Sequence, residues 1–309
     1  MTLSRLFCLL VLITSFACQD DDDIEPVQSR FLPEDVPGIY YADEPDGEFD
    51  LIYDSLIARV GSSSVTTLAA EIDHAQNAAG VGFTMRPTRL VMMSFPNEDG
   101  SLIEVNPLAG LDVPQKMLTY EAEAGTVLMI FNDTKYLADR YGVQDASILS
   151  SILNTLGNLP QLSGVTGNVY ANNEPTELEE GIITYTAGGS VDSVYTALRG
   201  ALQSNRAISI ITEVDHQANA TQVGVELPPN RLIVFGNPNL GTPLLLEAQT
   251  IGLDLPQKMV VFESAPGEVT VAYNDPYYLA DRHGIDESTP QLSTISDALE
   301  GLARGALGL

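Results

Sequence analysis

The apolar positions of this chain follow two periods, and each arrangement occurs twice. Phe49, Ile52, Leu56 and Val60 recur at i, i+3, i+7 and i+11, the spacing of one buried helix face, and Val191, Val194, Leu198 and Leu202 repeat it. Asp50 and Asp192 fall in the first turns of these helices, where a negative charge suits the helix dipole. A short strand is predicted before each helix, at 39–42 and 182–186, and a β-rich run after it, at 65–72 and 208–214. In the second run Ile208, Ile210, Thr212 and Val214 alternate with Ser209, Ile211 and Glu213, as in a half-buried strand. Three further strands are predicted in each half, at 89–93, 117–121 and 126–131, then at 231–235, 258–263 and 268–273. Ser264-Ala265-Pro266-Gly267 reads as the hairpin turn between the last two.

A helix should follow the last strand of each half. Asp275 suits its N-cap, Pro276 its first position and Gly284 its C-terminal stop, with Asp133 and Gly142 the counterparts. Periodic apolar stretches at 148–156 and 292–302 predict one more helix apiece. The order is strand, helix, antiparallel strands, helix, twice over: an α+β pattern with helices on one face of an antiparallel sheet.

The two halves are copies. Residues 71–142 align with 213–284 at a constant offset of 142, with about 30 of 72 positions identical. Glu71-Ile72-Asp73-His74 returns as Glu213-Val214-Asp215-His216, and Tyr136-Leu137-Ala138-Asp139-Arg140 as Tyr278-Leu279-Ala280-Asp281-Arg282. Leu111-Asp112-Val113-Pro114-Gln115-Lys116-Met117 returns as Leu253-Asp254-Leu255-Pro256-Gln257-Lys258-Met259. The expected organisation is a first repeat at 38–156, a Gly/Asn/Pro/Thr-rich linker at 157–179 and a second repeat at 180–309. The copies are expected to pack as an internal pseudo-dimer.

Residues 1–17 read as a signal peptide: Arg5, then the apolar run 6–13, too short to span a bilayer, then small residues before Cys18. This looks like a bacterial lipoprotein signal with lipidation at Cys18, although Ser15 and Phe16 depart from its usual pattern, and a plain secretory signal is the alternative. Cys8 lies in the removed segment, so the mature chain keeps one cysteine and forms no internal disulfide. Acylation gives that cysteine a purpose. An acidic tether covers 18–37, and its run Asp20-Asp21-Asp22-Asp23 resembles the surface-export signals of Bacteroidota lipoproteins. The expected location is the bacterial outer membrane, surface-exposed or periplasmic, with the membrane as a partner through the lipid at Cys18. The net charge of −28 and the lack of a basic cluster argue against nucleic-acid binding, and solubility is the plain reading of the acidity.

The second copy resembles the domain-of-unknown-function family 302. The likeness lies in Asp215-His216-Gln217-Ala218-Asn219-Ala220, Gly236-Asn237-Pro238, Gly241-Thr242-Pro243 and Gly252-Leu253-Asp254-Leu255-Pro256. It continues through Tyr273-Asn274-Asp275-Pro276 and Leu279-Ala280-Asp281-Arg282-His283-Gly284. The first copy matches less well, with Ser94-Phe95-Pro96 in place of Gly-Asn-Pro, and reads as degenerate. The resemblance implies tandem β-α-β4-α domains similar in topology to the TATA-binding-protein fold, and no settled activity.

The candidate site is therefore drawn from the second copy. His216, Asn219, Gly236, Asn237 and Gly241 are expected to line one pocket for a small molecule, joined by Asp254 and Asn274 from strand ends. Glycines let backbone approach a ligand, and Asn237 offers both a donor and an acceptor. His216 would then serve as general base or as a metal or haem ligand, so the cofactor is left open. Each motif also has a structural reading: Asp215 as an N-cap with His216 exposed, Gly236-Asn237-Pro238 as a turn, and Asp254 at a strand entry. Lys116 and Lys258 point either into a pocket or into water, and Arg140 and Arg282 suit local ion pairs or carbonyl contacts. No Cys-x-x-Cys, His-Glu-x-x-His or Gly-x-Ser-x-Gly pattern occurs, and no metal site is expected. Three roles remain open: a binding lipoprotein, an enzyme using His216, and an interaction module with no pocket.

Overall fold

A computed structural model describes residues 32–122 and 125–309. The predicted signal segment, Cys18 and the tether up to residue 31 lie outside the described residues. The described fold starts before the predicted boundary at 38. Pro33–Asp35 form a 3-10 turn, and Val36 is buried in the core.

The first repeat runs β1 (Ile39–Glu44), α1 (Phe49–Ser62), β2 (Thr67–Asp73), α2 (His74–Gly80) and β3 (Thr88–Ser94). It continues with α3 (Pro96–Val105), a 3-10 turn (Pro107–Leu111), β4 (Gln115–Glu121), β5 (Val127–Asn132), α4 (Thr134–Tyr141) and α5 (Ala146–Leu162). After β6 (Val169–Ala171) the order recurs as β7 (Ile182–Gly188), α6 (Val191–Ser204), β8 (Ser209–Asp215), α7 (His216–Gln222) and β9 (Asn230–Gly236). Then come α8 (Pro238–Glu247), a 3-10 turn (Gln249–Leu253), β10 (Gln257–Ala265), β11 (Glu268–Asn274), α9 (Pro276–Arg282) and α10 (Pro290–Leu307).

The α+β class holds, and β-α-β4-α is the skeleton of each repeat, with short helices inserted between strands. The sheets are antiparallel and share one strand order, β2-β3-β4-β5-β1 and β8-β9-β10-β11-β7. Their registers correspond: Ile39 faces Asn132, Ile182 faces Asn274, and each carries a bulge, between Leu68 and Ala70 or between Ile210 and Thr212. The stretch 157–179 does more than link. Its first residues finish α5, and β6 adds a sixth strand beside β1, where Tyr170 stacks on Tyr41.

Two elements differ from the sequence reading. Gly236-Asn237-Pro238 is not a loop but the start of α8, and Ser94-Phe95-Pro96 likewise starts α3. Turn-forming residues concealed a helix start: Asn237 is the N-cap, its Oδ1 accepting from the Asn239 amide, and Pro238 takes the first helical position.

The periodicity of 3.6 buries Phe49, Ile52, Leu56 and Val60 of α1, and Val191, Val194, Leu198 and Leu202 of α6, against their sheets. Strand alternation then divides the second sheet between two cores. Ile233, Phe235, Met259, Val261, Val271 and Tyr273 face α6 and α10, whereas Leu232, Val234, Val260, Phe262 and Ala272 belong to the core of the first repeat. Helices cover one face of the sheet, and the other repeat covers the opposite face.

The two 3-10 turns pack tightly against the opposite repeats. A Cβ at Gly110 would lie 2.9 Å from Asn230 Oδ1 and 3.0 Å from Val260, and one at Gly252 would lie 3.0 Å from Leu118. Gly110→Ala and Gly252→Ala should therefore each cost about 1–3 kcal/mol through overpacking. Gly200→Ala, at a helical position with nothing within 4 Å, should instead stabilise by up to about 1 kcal/mol. Thermal and urea denaturation of the three variants checks the ranking.

Candidate functional site

His74 and His216 open the two short helices that follow β2 and β8. Asp73 and Asp215 cap those helices, accepting from the amides of Gln76 and Ala218. Both imidazoles are buried, and each crosses to the other repeat. His74 Nε2 donates to the Gly252 carbonyl at 3.2 Å, and His216 Nε2 to the Gly110 carbonyl at 3.3 Å. Burial pushes both down to about 4, only partly offset by the carbonyl contacts, so both are neutral at pH 7. The capping alternative for Asp215 is what the structure contains, but His216 is enclosed rather than exposed. Its Nε2 is committed to packing the repeats together, which gives the general-base and metal-ligand readings no support.

Asp254 and Asn274 lie in a second buried cluster. Lys116 Nζ donates to Asp112 Oδ1 at 2.9 Å and to Asp254 Oδ1 of the other repeat at 3.0 Å. Arg140 reaches Asp112 Oδ2 at 2.8 Å and Asn274 Oδ1 at 2.8 Å, and Arg282 reaches Asp254 Oδ2 at 2.7 Å and Asn132 Oδ1 at 2.9 Å. The remaining guanidinium donors meet the Glu180 carbonyl from Arg140 and the Pro37 carbonyl from Arg282. Burial alone would raise both carboxyl groups, but Lys116 and the arginines outweigh it and hold them below the usual carboxylate range.

Lys258 is the odd member. It donates to the carbonyls of Asp254 and Pro256, and burial, with repulsion from Lys116, lowers it to about 7. Burial lowers His283 too, so its Nε2 donates to Asp254 Oδ2 and its Nδ1 accepts from the Thr250 hydroxyl. Lys116 and Lys258 thus point neither into an open pocket nor into water. The arginines make their ion pairs within their own repeats, Arg140 with Asp112 and Arg282 with Asp254, and their carbonyl contacts across the repeat boundary.

The three remaining loop candidates do line a cavity. A space of about 460 Å³ opens between α8, α10 and the β8–β9 edge, bounded by Gly236, Asn237, Gly241 and Thr242. Phe235, Leu245, Leu255, Ile295 and Leu299 form its buried floor, and the exposed Asn77, Asn205 and Ser209 lie at its mouth. His74 and Asn77 of the first repeat complete the wall. His216 and Asn219 are not among the lining residues. Their counterparts at the aligned positions, His74 and Asn77, line it instead, because α2 crosses to the second repeat. Among the described residues, no group of three or more His, Cys, Asp or Glu side chains could hold a metal ion.

The matching corner of the first repeat is packed. Phe95 stands where Asn237 does and is 1% exposed. Asp99 stands at the position of Gly241, is pushed up to about 7 by burial, and accepts from Ser94 Oγ and the Phe95 amide. Gly100 replaces Thr242, so that a Cβ there would lie 3.3 Å from Ala220 and 3.4 Å from Val225; α3 and α7 touch.

A family profile described as "Domain of unknown function DUF302" matches residues 44–159 and 183–302. The chain is 38% identical over 112 residues to "Fluoride-specific ion channel FluC 1" of Brucella suis and, equally, to the protein of that name from Brucella abortus. The match covers 36% of this chain and 44% and 41% of theirs, so the chain spans less than half the length of these relatives. Among the described residues no helix is long and apolar enough to cross a membrane. An uncharacterised DUF302 protein from Bacillus stearothermophilus is similar over 42% of this chain and 97% of its own, at 18% identity and a TM-score of 0.34.

The neutral histidines give folding a definite pH dependence. An unfolded histidine titrates near 6.5, whereas folded His216 titrates near 4. Between those values the unfolded chain takes up a proton that the folded chain refuses, so this contribution to stability falls as pH drops, by about 1.4 kcal/mol per pH unit. Asp99 acts with the opposite sign over the same range, so the test is a difference between proteins. His216→Gln keeps an N–H for the Gly110 carbonyl and removes the titration. Between pH 6.5 and 5.0 it should lose about 1.5 kcal/mol less stability than the wild type in urea denaturation. Equal losses would show that His216 does not stay neutral in the fold.

Proposed function

This chain is a tandem member of the DUF302 family, and we propose that it is a cell-envelope lipoprotein whose second repeat binds a small molecule without transforming it. The observation that carries this reading is the cavity at Gly236, Asn237 and Gly241, set against the packed corner of the first repeat. At about 460 Å³ it falls within the range of known ligand sites, about 300–1,000 Å³. The first repeat serves as wall and support. Catalysis has no comparable support, since each histidine of the described residues is buried, held below its ordinary range and bonded within the fold. The channel activity named for the Brucella proteins is not carried over, because the match covers only 44% and 41% of their length.

The envelope assignment rests on Cys18, the one cysteine left after the predicted cleavage, and on the acidic run that follows it. We place the chain at the outer membrane, anchored by lipid. Labelled palmitate fed to an expressing bacterium should enter the wild-type protein and fail to enter Cys18→Ser; equal labelling of both would overturn the anchor.

The cavity can be tested with an uncharged solvatochromic dye, Nile red, on the chain from residue 18 carrying Cys18→Ser, which needs no detergent. Gly241 sits in α8 with ordinary φ, and a Cβ there would meet only Leu255 at 3.7 Å. Gly241→Leu should therefore fill the space while favouring the helix by roughly 0.5–1 kcal/mol. The expected result is blue-shifted dye emission with Gly241 present, its loss in Gly241→Leu, and an unchanged or raised Tm. No dye binding to the parent chain would overturn the reading.

A further inference from the structure

The chemistry of the cavity narrows what it can hold. None of its 22 lining residues is Asp, Glu, Lys or Arg, in a chain where 18% of residues are charged. Its one titratable member, His74, is neutral at pH 7 and donates its Nε2 proton to Gly252. The start of α8 supplies no anion site either. Pro238 has no N–H, the Asn239 amide is bonded to Asn237 Oδ1, and the amides of Leu240 and Gly241 are bonded to the Asn237 carbonyl. A ligand charge taken inside would have no counter-charge, and an unpaired charge is expensive to bury.

The buried lining is mostly apolar: Phe235, Leu245, Leu255, Ile295 and Leu299 form it, with the Thr242 side chain and the neutral His74 ring as its polar members. At the open end Asn77 and Asn205 offer amides, which can donate and accept but cannot neutralise an ion. An anionic head at that mouth would meet no lysine or arginine in the lining. A cationic head would meet no lining carboxylate, and charges elsewhere on the surface are screened beyond about 8 Å at physiological salt.

We infer that the ligand is an uncharged, lipid-like molecule, with an aliphatic body in the buried end and a single neutral hydroxyl, ester or amide head among the asparagines at the mouth. The inference rests on the reading of the cavity as a ligand site and adds the class of molecule. The cross-repeat wall has a role in it: Asn77 brings the head contact from the first repeat, so the second repeat alone would present an incomplete mouth.

Three compounds with one chain length separate the possibilities: 1-octanoylglycerol, octanoate and octyltrimethylammonium. Each is titrated against Nile red bound to the chain from residue 18 carrying Cys18→Ser, at pH 7.5 and 0.15 M salt. The expected result is displacement by 1-octanoylglycerol at a concentration at least tenfold below that of either ion. Asn77→Leu, an exposed change at the mouth, should weaken 1-octanoylglycerol several-fold while leaving the dye bound. Displacement by octanoate or octyltrimethylammonium as readily as by the glyceride would overturn the inference and leave the cavity standing. A bound dye that none of the three displaces overturns it equally. Failure of the dye itself to bind would remove the cavity reading and the inference together.

Discussion

Lys116 holds two aspartates at once, Asp112 of its own repeat and Asp254 of the other, in a place that water does not reach. Each repeat completes the arrangement of the other: Arg140 takes the Asn274 oxygen and the Glu180 carbonyl from the second repeat, and Lys116 takes one of its two carboxylates from there. Deleting one member of such a pair while the other stays enclosed in the intact fold typically costs about 3–5 kcal/mol, because the charge left behind is neither solvated nor paired. The cluster therefore ties the stability of each repeat to the presence of its neighbour. His74, His216 and the two 3-10 turns are arranged around the same boundary, each imidazole bonded to a carbonyl on the opposite turn. Two copies that share about 30 of 72 aligned positions form one folded unit.

That coupling explains an imbalance in the charges. Two aspartates face Lys116, Arg140 and Arg282, and a fourth full positive charge at Lys258 would be poorly compensated. Burial and the nearby Lys116 lower Lys258 to about 7, and backbone carbonyls accept its protons. Tyr141, where the second copy has His283, donates its hydroxyl to Asp112 at 2.7 Å. The copies thus solve one electrostatic problem with different residues, and the departure from symmetry begins in the most buried part of the molecule.

Much of this was readable in the sequence because the signals were local and occurred twice. The 3.6-residue spacing in α1 and α6, the alternating strands and the Asp275-Pro276 helix start are properties of contiguous residues, and the structure contains each of them. Gly236, Asn237 and Gly241 were legible as a corner, although a helix start was mistaken for a loop. His216, Asp254 and Asn274 stand in the sequence as candidates to line a pocket, whereas in the fold each of them makes a contact between repeats. A spacing within one copy carries no information about which copy a side chain will touch. The contribution of Asn77 was missed for the same reason, and the added strand β6 because its three residues lie in a segment rich in turn formers. The contrast between Phe95 and Asn237 was visible, and read as erosion of the first copy. In the fold it separates a packed corner from an open one.

A single polypeptide carrying two copies can do what a symmetric pair of identical chains cannot. Identical chains around a twofold axis must open both corners or close both, since any substitution appears twice. An open corner has a cost, because its apolar walls lack packing partners. Here Phe95 and the Asp99 network fill one corner, whereas Asn237 and Gly241 leave the other open. The closed half offsets the cost of the open half through the boundary they share, and the boundary holds because the ionic cluster resists separation. The first repeat has kept the histidine, lysine and arginine that face its neighbour and has lost the residues that would line a cavity of its own. Such a division of labour requires the packing surface and the cavity wall to be separate sets of residues, and α2 satisfies that condition: His74 bonds to the opposite turn, and Asn77, one turn further along, reaches the mouth of the cavity.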